Sequence, residues 1–565
     1  MAWLGIKRIA NGWTVATLLI AGCVALPVLI VLGHVLVPAV DVWQHLGSTV
    51  LGGYLLNTLG LVLGVGVGTL IIGVGTAWLV VMCRFPGKRL FEWALLLPLA
   101  VPTYVIAYAY TDFLQFTGPV QTWLRAIFDW TRDDYSFPEI RSLGGAIALM
   151  SLVLYPYVYL LSRAAFVEQS VCALEVGRTL GRSPLRLFTG VAIPLARPAI
   201  VGGVALALME TLNDFGAVQF FGVDTFTTGI YRTWFGMGEQ VAAAQLAACL
   251  LSIIVILVVV ERWSRGRARY FHTSTRYREL PQYHLRGLRA GLATLACLAP
   301  LVLGFVLPAL LLLNMSLRGG DPLLGPRFLV LAGNSVMLAA GAAALAVLFA
   351  VLLSYGARLR PGRLTRSATR IAAMGYAIPG SVIAVGILIP FGWLDQQINL
   401  FALERFGSLP GLLLTGTVVA LLYAYVVRFL AVSFNAIEAS LDKITPGMDA
   451  ASRTLGKTAG RTLVLVHAPL MRSSLLAAGI LVFVDVMKEL PATIILRPFD
   501  FDTLAIRAFE LASDERLSQA STSALAIVAV GVIPVILLSL AMRQSRPGHS
   551  GRKPAIPARS VDQAR

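Results

Sequence analysis

Charged residues are scarce in this chain of 565 residues. Asp, Glu, Lys and Arg make up 13% of it, whereas 57% is hydrophobic. An average globular chain is about 25% charged. A soluble protein of this length could not bury so much apolar surface, so the composition predicts a polytopic membrane protein in the lipid bilayer.

Acidic residues are scarcer than basic residues. The chain has 29 Asp and Glu against 46 Lys and Arg, a formal net charge of +17. The basic residues fall in short loops between apolar runs. We therefore interpret them as determinants of membrane topology and expect no nucleic-acid partner.

Side chains with metal-binding or catalytic spacing are also lacking. The five cysteines are odd in number and scattered, without the spacing of a disulfide framework or a metal site. The nearest approach to a nucleotide-binding loop, residues 451–458, has alanine at its first glycine position. The sequence therefore predicts a chain that is not an enzyme and binds no cofactor. His467 is expected to have a surface or capping role.

Twelve apolar runs are long enough to cross a bilayer, which takes about 20 helical residues. Basic loops alternate with loops sparse in basic charge through all twelve runs, which places both termini in the cytoplasm. The first run, 13–37, is too long for a signal-peptide core and is expected to be retained. The runs are centred near residues 25, 69, 103, 155, 210, 251, 301, 345, 383, 421, 484 and 531.

Two polar, basic segments, 174–198 and 449–473, share one pattern; we call them the first and second duplicated segments. Shifted by 275, they are identical at nine of 25 positions, and in both a glycine precedes a proline by 13 residues. Further matches pair NTLGLVLG at 57 with NSVMLAAG at 334, PTYVIA at 102 with PGSVIA at 379, and TFTTGIYRTWF at 225 with DFDTLAIRAFE at 500. The chain is therefore predicted to be a parallel repeat of two six-span halves, which builds a pathway at its interface.

The repeat sets the expected boundaries. Spans 1–6 form a first half and spans 7–12 a second half, joined by a basic cytoplasmic linker. A Pro-, Gly- and Arg-rich tail is expected to be disordered. The ranges are 1–265, 266–285, 286–543 and 544–565.

Each duplicated segment is predicted to form a helix–turn–helix at the cytoplasmic surface. In the second segment Gly456 stops one helix, Thr458 caps the next and Pro469 marks entry into the following span. An interfacial hairpin that binds anionic headgroups is the simpler interpretation. Duplication at fixed spacing favours a protein-docking element, because headgroup binding does not require one glycine-to-proline distance.

Spans five and eleven carry polar and charged residues at equivalent positions in their middle. Charges at membrane depth are costly and face a bundle interior or a wet cavity. We expect them to line a translocation path that favours cations, with a structural ion pair as the alternative. No metal site is assigned. The residues are Glu210, Asn213, Asp214, Asp485, Lys488 and Glu489.

The duplicated segments resemble the cytoplasmic coupling motif of permeases in binding-protein-dependent ABC importers, which has Glu-Ala-Ala, then Gly, then Leu-Pro or Ile-Pro. Residues 484–517 look most like the ferric-iron class, and the resemblance covers nearly all of the chain. The second segment departs from the motif, because Ala450 replaces the glutamate. The expected coupling residues are Glu175, Arg178, Gly181, Arg186, Pro194, Ala450, Arg453, Gly456, Arg461 and Pro469.

This resemblance implies the permease subunit of an ATP-driven importer in a bacterial inner membrane, moving ferric iron by alternating access. It implies two copies of an ATPase subunit that hydrolyse ATP at the cytoplasmic side, and a periplasmic or extracellular solute-binding protein opposite. Thiamine, a polyamine or a phosphonate are alternative cargoes. A secondary transporter driven by an ion gradient, with Glu210 and Asp214 as proton carriers, is an alternative of another class.

Overall fold

The computed structural model describes residues 12–168, 184–265, 282–321 and 325–544. Within these residues the regular secondary structure is helical apart from one parallel pair of two-residue strands, β1 (Cys83–Arg84) and β2 (Tyr283–His284). A backbone in lipid must satisfy its hydrogen bonds internally, which a helix does. The prediction of an all-α polytopic protein is confirmed.

The described residues before the linker form twelve α-helices, and those after it form thirteen. The first set is α1 Gly12–Gly33, α2 Val40–Thr49, α3 Leu51–Met82, α4 Lys88–Ala94, α5 Thr103–Leu114, α6 Pro119–Phe128, α7 Leu143–Glu168, α8 Pro184–Leu187, α9 Ile193–Asn213, α10 Gly216–Phe220, α11 Phe226–Tyr231 and α12 Gln240–Arg265. The second set is α13 Leu288–Leu301, α14 Leu307–Gly319, α15 Pro326–Leu359, α16 Arg363–Ala372, α17 Gly380–Phe406, α18 Val418–Leu441, α19 Pro446–Thr454, α20 Ala459–Thr462, α21 Ala468–Leu470, α22 Arg472–Met487, α23 Pro491–Leu496, α24 Leu504–Ser513 and α25 Leu517–Gln544.

Short 3₁₀ and π-helical turns connect several of these helices. The 3₁₀ turns are His34–Leu36, Leu97–Ala100 and Gly375–Ala377. The π-helical turns are Phe188–Ala192, Arg232–Gly236, Val302–Val306 and Leu463–His467. The turns at 188 and 463 are 275 residues apart, the offset of the duplicated segments.

Ten helical segments in the described residues are long and apolar enough to cross a membrane. The number rises to as many as twelve, the number expected from the sequence, if each of two bent pairs is counted as one span. The third span bends by 91° between Lys88–Ala100 and Thr103–Phe128, and the eleventh by 80° between Ala459–Leu470 and Arg472–Met487. At the first bend Pro102 has extended backbone angles and no N–H to continue the helix.

The first span of each half crosses to the other half. Helix α1 packs against α15, α16 and α17, and Gly386 lets the α17 backbone approach the Pro27 carbonyl. In the reciprocal contact, the Tyr110 hydroxyl of α5 donates a hydrogen bond of 2.6 Å to the Leu303 carbonyl. A division of the chain near residue 265 therefore does not separate two independently packed bodies.

Side chains at matching positions of the two predicted halves make similar contacts. Asn57 Nδ2 donates to the Asp224 carbonyl (2.9 Å), and Asn334 Nδ2 donates to the Asp502 carbonyl (3.1 Å). Thr225 caps α11 and Thr503 caps α24. The two asparagines are 277 residues apart and the two threonines 278, so the sequence match of residue 225 with residue 500 is three residues out of register. The chain has three more residues here in its second half.

Candidate functional site

Two broken helices form the centre of the site. Helix α9 ends at Asn213 and resumes as α10 at Gly216, whereas α22 ends at Met487 and resumes as α23 at Pro491. At the first break Asp214 has extended backbone angles. Gly216 is required by close packing, because a Cβ there would lie 2.7 Å from Leu490 Cδ2 and from Tyr104 Cβ. The two breaks thus lie against each other across the halves.

Two of the predicted path carboxylates cap the helices after the breaks. Asp214 Oδ1 accepts from the backbone N–H groups of Ala217 (3.0 Å) and Val218 (3.2 Å). Glu489 accepts from those of Ala492 (2.9 Å) and Thr493 (3.1 Å). These N–H groups would otherwise be unsatisfied, because a helix start leaves its first donors free. Both carboxylates therefore stabilise the broken conformation.

All six predicted path residues line one cavity of about 90 Å³ between the halves. Residues 99–104 of the bent third span, residues 153, 154 and 157 of α7, and the two breaks form its walls. Sequence reasoning placed these charges on equivalent spans. Only the fold shows that they share a cavity.

The cavity contains a cation that sequence reasoning missed. Arg428 of α18 is 4% exposed, and its Nη2 lies 3.7 Å from Glu210 Oε2 while its Nη1 lies 4.0 Å from Glu489 Oε1. Nη1 also donates a hydrogen bond to Asn213 Oδ1. The signal was a single arginine inside the apolar tenth span, since an ionisable residue at membrane depth is by default a candidate functional residue.

Asn213 and Glu210 join the first half to the second. The Gly380 N–H at the start of α17 donates a hydrogen bond of 2.8 Å to Asn213 Oδ1. The Tyr376 hydroxyl donates to Glu210 Oε1 at 2.8 Å, and the hydroxyl of Tyr157 lies 3.4 Å from that of Tyr376. A shift of one half relative to the other must break these bonds.

Lys488 pairs with Asp485 on its own helix, with 3.0 Å between Nζ and Oδ1. This pair is the local alternative considered from the sequence, but it does not hold α9 and α22 together. Among the described residues, no group of three or more His, Cys, Asp or Glu side chains is placed to hold a metal ion. The cavity is thus charged, and each of its carboxylates has a partner.

The second duplicated segment folds as a helix, a turn and a second short helix. Helix α19 ends at Thr454, Gly456 adopts φ +72°, and the Thr458 side chain caps α20 by accepting from the Arg461 N–H. The stop and cap predicted from the sequence are confirmed. The predicted coupling residues here form an exposed surface: Ala450, Arg453, Gly456, Arg461 and Pro469.

The second duplicated segment is held against α15 by Arg358. Its guanidinium donates to Asp449 Oδ2 (2.8 and 3.0 Å) and to the carbonyls of Leu441 (2.8 Å) and Ile444 (2.7 Å). His467 Nε2 lies 2.8 Å from Asp449 Oδ1, and its side chain is fully buried. The prediction of a surface role for His467 is therefore wrong, because the ring packs under the segment.

The first duplicated segment is described only from residue 184 onward. Arg186 and Pro194 are exposed, and Pro194 lies in the first turn of α9. The three other coupling residues predicted here, Glu175, Arg178 and Gly181, lie outside the described residues. From residue 184 the helical, π-helical and helical stretches repeat those from 459 at the same offset.

We expect Gly456→Ala to weaken docking of an ATPase subunit, because a Cβ at φ +72° costs about 1–2 kcal/mol. Gly460→Ala is the matched control, because Gly460 lies in α20 with open space around it. The measurement is the affinity of the purified ATPase for each variant. We expect at least about a threefold loss at residue 456 and none at residue 460. Equal affinities would show that the turn geometry does not matter for docking.

Comparisons with known proteins agree with the resemblance in the sequence. Residues 60–270 match the family model of the binding-protein-dependent transport system inner membrane component. The chain is 27% identical over 491 residues to the Fe(3+)-transport system permease protein FbpB 2 of Haemophilus influenzae, covering 85% of this chain and 88% of the relative.

Two shorter relatives match only part of this chain. One is the molybdenum transport system permease protein ModB of Escherichia coli, 29% identical over 35% of this chain and 87% of the relative. The other is the putative 2-aminoethylphosphonate transport system permease protein PhnU of Salmonella choleraesuis, 29% identical over 40% of this chain and 77% of the relative.

Proposed function

Because this chain belongs to the family of inner membrane components of binding-protein-dependent transport systems, we propose that it carries ferric iron into the cytoplasm. It is the multi-pass permease subunit of an importer, and ATP is hydrolysed by a separate partner. One observation carries the proposal. Six polar and charged residues from two equivalent helix breaks line a single cavity between the halves.

The second duplicated segment is connected to this cavity by one helix. From the 80° bend after Leu470, α22 runs 16 residues to the break at Lys488. That is about 24 Å at 1.5 Å per residue. A push on the segment is therefore transmitted along α22 to Lys488 and Glu489. In the first half, α9 connects Pro194 to Asn213 in the same way.

Alternating access follows from this connection. Closure of the ATPase on ATP moves both duplicated segments, and α9 and α22 carry the two breaks with them. The bonds that Asn213 and Glu210 make to the second half then break, and the cavity opens to one side. The proposal includes the division into halves 1–265 and 286–543, the repeat between them, and both termini in the cytoplasm.

The charge of the cavity favours a cation as cargo. Among the described lining residues, four carboxylates face two cations, a formal excess of two negative charges. Carboxylate oxygens suit a hard cation. An oxyanion such as molybdate or a phosphonate would be repelled by the same carboxylates, and the relatives that carry those names cover less of this chain.

Two copies of an ATPase subunit, one for each duplicated segment, complete the proposed importer. A solute-binding protein delivers the cargo at the opposite face. In the second segment Asp449, the residue before Ala450, is turned inward to Arg358. The two ATPase contacts are therefore expected to differ in strength.

The test is reconstitution of this chain with its ATPase and candidate binding proteins in proteoliposomes. We expect ferric iron to be taken up, and ATP hydrolysis to be stimulated, only with the loaded binding protein. Molybdate, a phosphonate, thiamine and a polyamine serve as control cargoes. Stimulation by one of these and not by iron would reassign the cargo. Uptake by the chain alone under a pH gradient would instead show a secondary transporter.

A further inference from the structure

Arg428 belongs to only one of the two halves. At the 275-residue offset that relates α7 to α18, the first half has Val153, which also lines the cavity. Lys488 likewise corresponds to Asn213. Both cavity cations therefore come from the second half, and the first half contributes Glu210 and Asp214.

The guanidinium of Arg428 lies among oxygen atoms from both halves. It approaches Glu210 at 3.7 Å and Glu489 at 4.0 Å, and it donates to the Asn213 amide oxygen. The contacts to the two carboxylates are long for a guanidinium–carboxylate pair, whose N–H···O distances are about 2.7–2.9 Å. Arg428 thus neutralises the two carboxylates without a bidentate bond to either.

A further oxygen donor faces the same cavity without a partner. Tyr104 lines the cavity and is 4% exposed, and its hydroxyl has no hydrogen-bond partner among the described residues. A buried hydroxyl left unpaired costs free energy. The Tyr104 hydroxyl is therefore available to a ligand in the cavity.

We propose that Arg428 occupies, in the closed conformation, the site that a hard multivalent cation takes during transport. The oxygen ligands are Glu210, the Asn213 amide and the Tyr104 hydroxyl, all from the first half. Arg428 is then a built-in counter-ion that keeps free cations out until the halves move and withdraw it. This inference rests on the proposed function, the import of a metal cation. It adds the residues that bind the cation transiently, and it assigns Arg428 as the group that blocks them.

Movement of the halves explains how the site is released. Arg428 reaches Asn213, which also accepts from the Gly380 N–H, so both bonds connect α9 to the second half. When α9 moves away, Arg428 loses Asn213 and Glu210 together. Glu489 stays beside Arg428, because both lie in the second half. Glu210 and Asn213 then face the cavity without a counter-ion, and a cation takes the place of Arg428.

The test is binding of Tb³⁺ to the purified full chain in nanodiscs of zwitterionic lipid. Tyr157 and Tyr376 lie beside Glu210 and sensitise the luminescence of a bound Tb³⁺. We expect Arg428→Gln to bind Tb³⁺ at least about tenfold more tightly than the wild type, because a positive charge about 4 Å from the site is removed. The double variant Arg428→Gln with Glu210→Gln is expected to return to the wild-type affinity.

Equal affinity in the wild type and Arg428→Gln would overturn the proposal. So would a double variant that binds as tightly as the single one, since the binding would then lie elsewhere. If Arg428→Gln does not fold, Arg428→Lys decides, because an ammonium lacks the planar fork whose two nitrogens approach Glu210 and Glu489 separately. It is expected to bind Tb³⁺ more tightly than the wild type, and an unchanged affinity would refute the gate.

A separate measurement distinguishes this inference from the proposed function. Iron uptake by the wild-type complex does not depend on the Tb³⁺ result. Uptake of iron together with unchanged Tb³⁺ affinity in the variants would reject the gate alone. Tight Tb³⁺ binding by Arg428→Gln with no uptake of iron by the wild type would reject ferric iron as cargo and retain the cation site.

Discussion

Gly380→Val is expected to lower the transport rate at least about tenfold while the protein still folds, since overpacking costs about 1–3 kcal/mol. A Cβ at this position would lie 2.7 Å from Glu489 Oε1 and 3.0 Å from both the Ala492 nitrogen and Arg428 Nη1. The Ala492 nitrogen belongs to the backbone and cannot turn away. The added side chain must therefore push the start of α17 away from the second helix break.

The consequence for transport comes from the bond to Asn213. Gly380 donates its N–H to Asn213 Oδ1 at 2.8 Å, so displacing α17 separates the halves at the cavity. The closed state becomes less favourable, and ATP hydrolysis is expected to continue without cargo. Uptake and hydrolysis measured in the same proteoliposomes give the ratio of cargo moved to ATP used.

Gly392→Val is the matched control for this variant. It lies on the same helix, α17, with no atom within 4 Å of the added Cβ. Both substitutions place valine in the same helix. A difference in transport rate between them is therefore due to the contact of residue 380 with the cavity. If the two variants transport at the same rate, the close approach of α17 to Glu489 has no role in closure.

Arg358→Ala is expected to abolish the stimulation of ATP hydrolysis by cargo, while basal hydrolysis remains. Arg358 ties α15 to the end of α18 and to Asp449 at the start of the second duplicated segment, through hydrogen bonds of 2.7–3.0 Å. Its side chain is 18% exposed and that of Asp449 is 17% exposed. Hydrogen bonds to charged groups contribute about 1.5–3 kcal/mol each and are not additive, so we expect a local loss of about 2–3 kcal/mol.

The physical reason is the loss of a rigid connection. Without Arg358, Asp449 and the buried His467 lose the cation that holds the segment in place. A closing ATPase then moves the segment without moving α22. The ATPase still binds, because the exposed residues of the segment are unchanged. Binding affinity and cargo-stimulated hydrolysis must therefore be measured separately.

Arg360→Ala is the control, because Arg360 lies two residues further along the chain and is exposed. It removes the same charge near the same end of α15 without the bonds to Asp449. Arg358→Lys should be intermediate, since an ammonium keeps the charge but not the planar fork. Full stimulation in Arg358→Ala would show that coupling does not pass through this contact.

The cavity and the second duplicated segment are thus connected by one continuous helix and by side-chain hydrogen bonds. Helix α22 links them directly. Arg358 fixes the segment to α15, which packs beside α22. A change at either end is expected to affect the ratio of cargo moved to ATP used. The residues in between need not touch cargo or nucleotide.

Local physical chemistry made much of this protein predictable from its sequence. Apolar length determined the helical class and the membrane spans, because a backbone in lipid must be helical or closed into a barrel. Gly456 and Thr458 determined the turn and cap of the second duplicated segment, because those functions depend on neighbouring residues only. The cost of charge in lipid made the charged groups at 210–214 and 485–489 recognisable as a site.

Other features were decided only by contacts between residues distant in the chain. Helix α1 packs against the second half where Gly386 leaves room for the Pro27 backbone, and no local sequence pattern predicts that contact. Arg428 and Gly380 become part of the site because α18 and α17 pack beside the helix breaks. His467 is buried where Asp449 and Arg358 meet, and the sequence separates that pair by 91 positions. Spacing along the chain predicts a helix or a turn, but long-range packing determines which charges face each other.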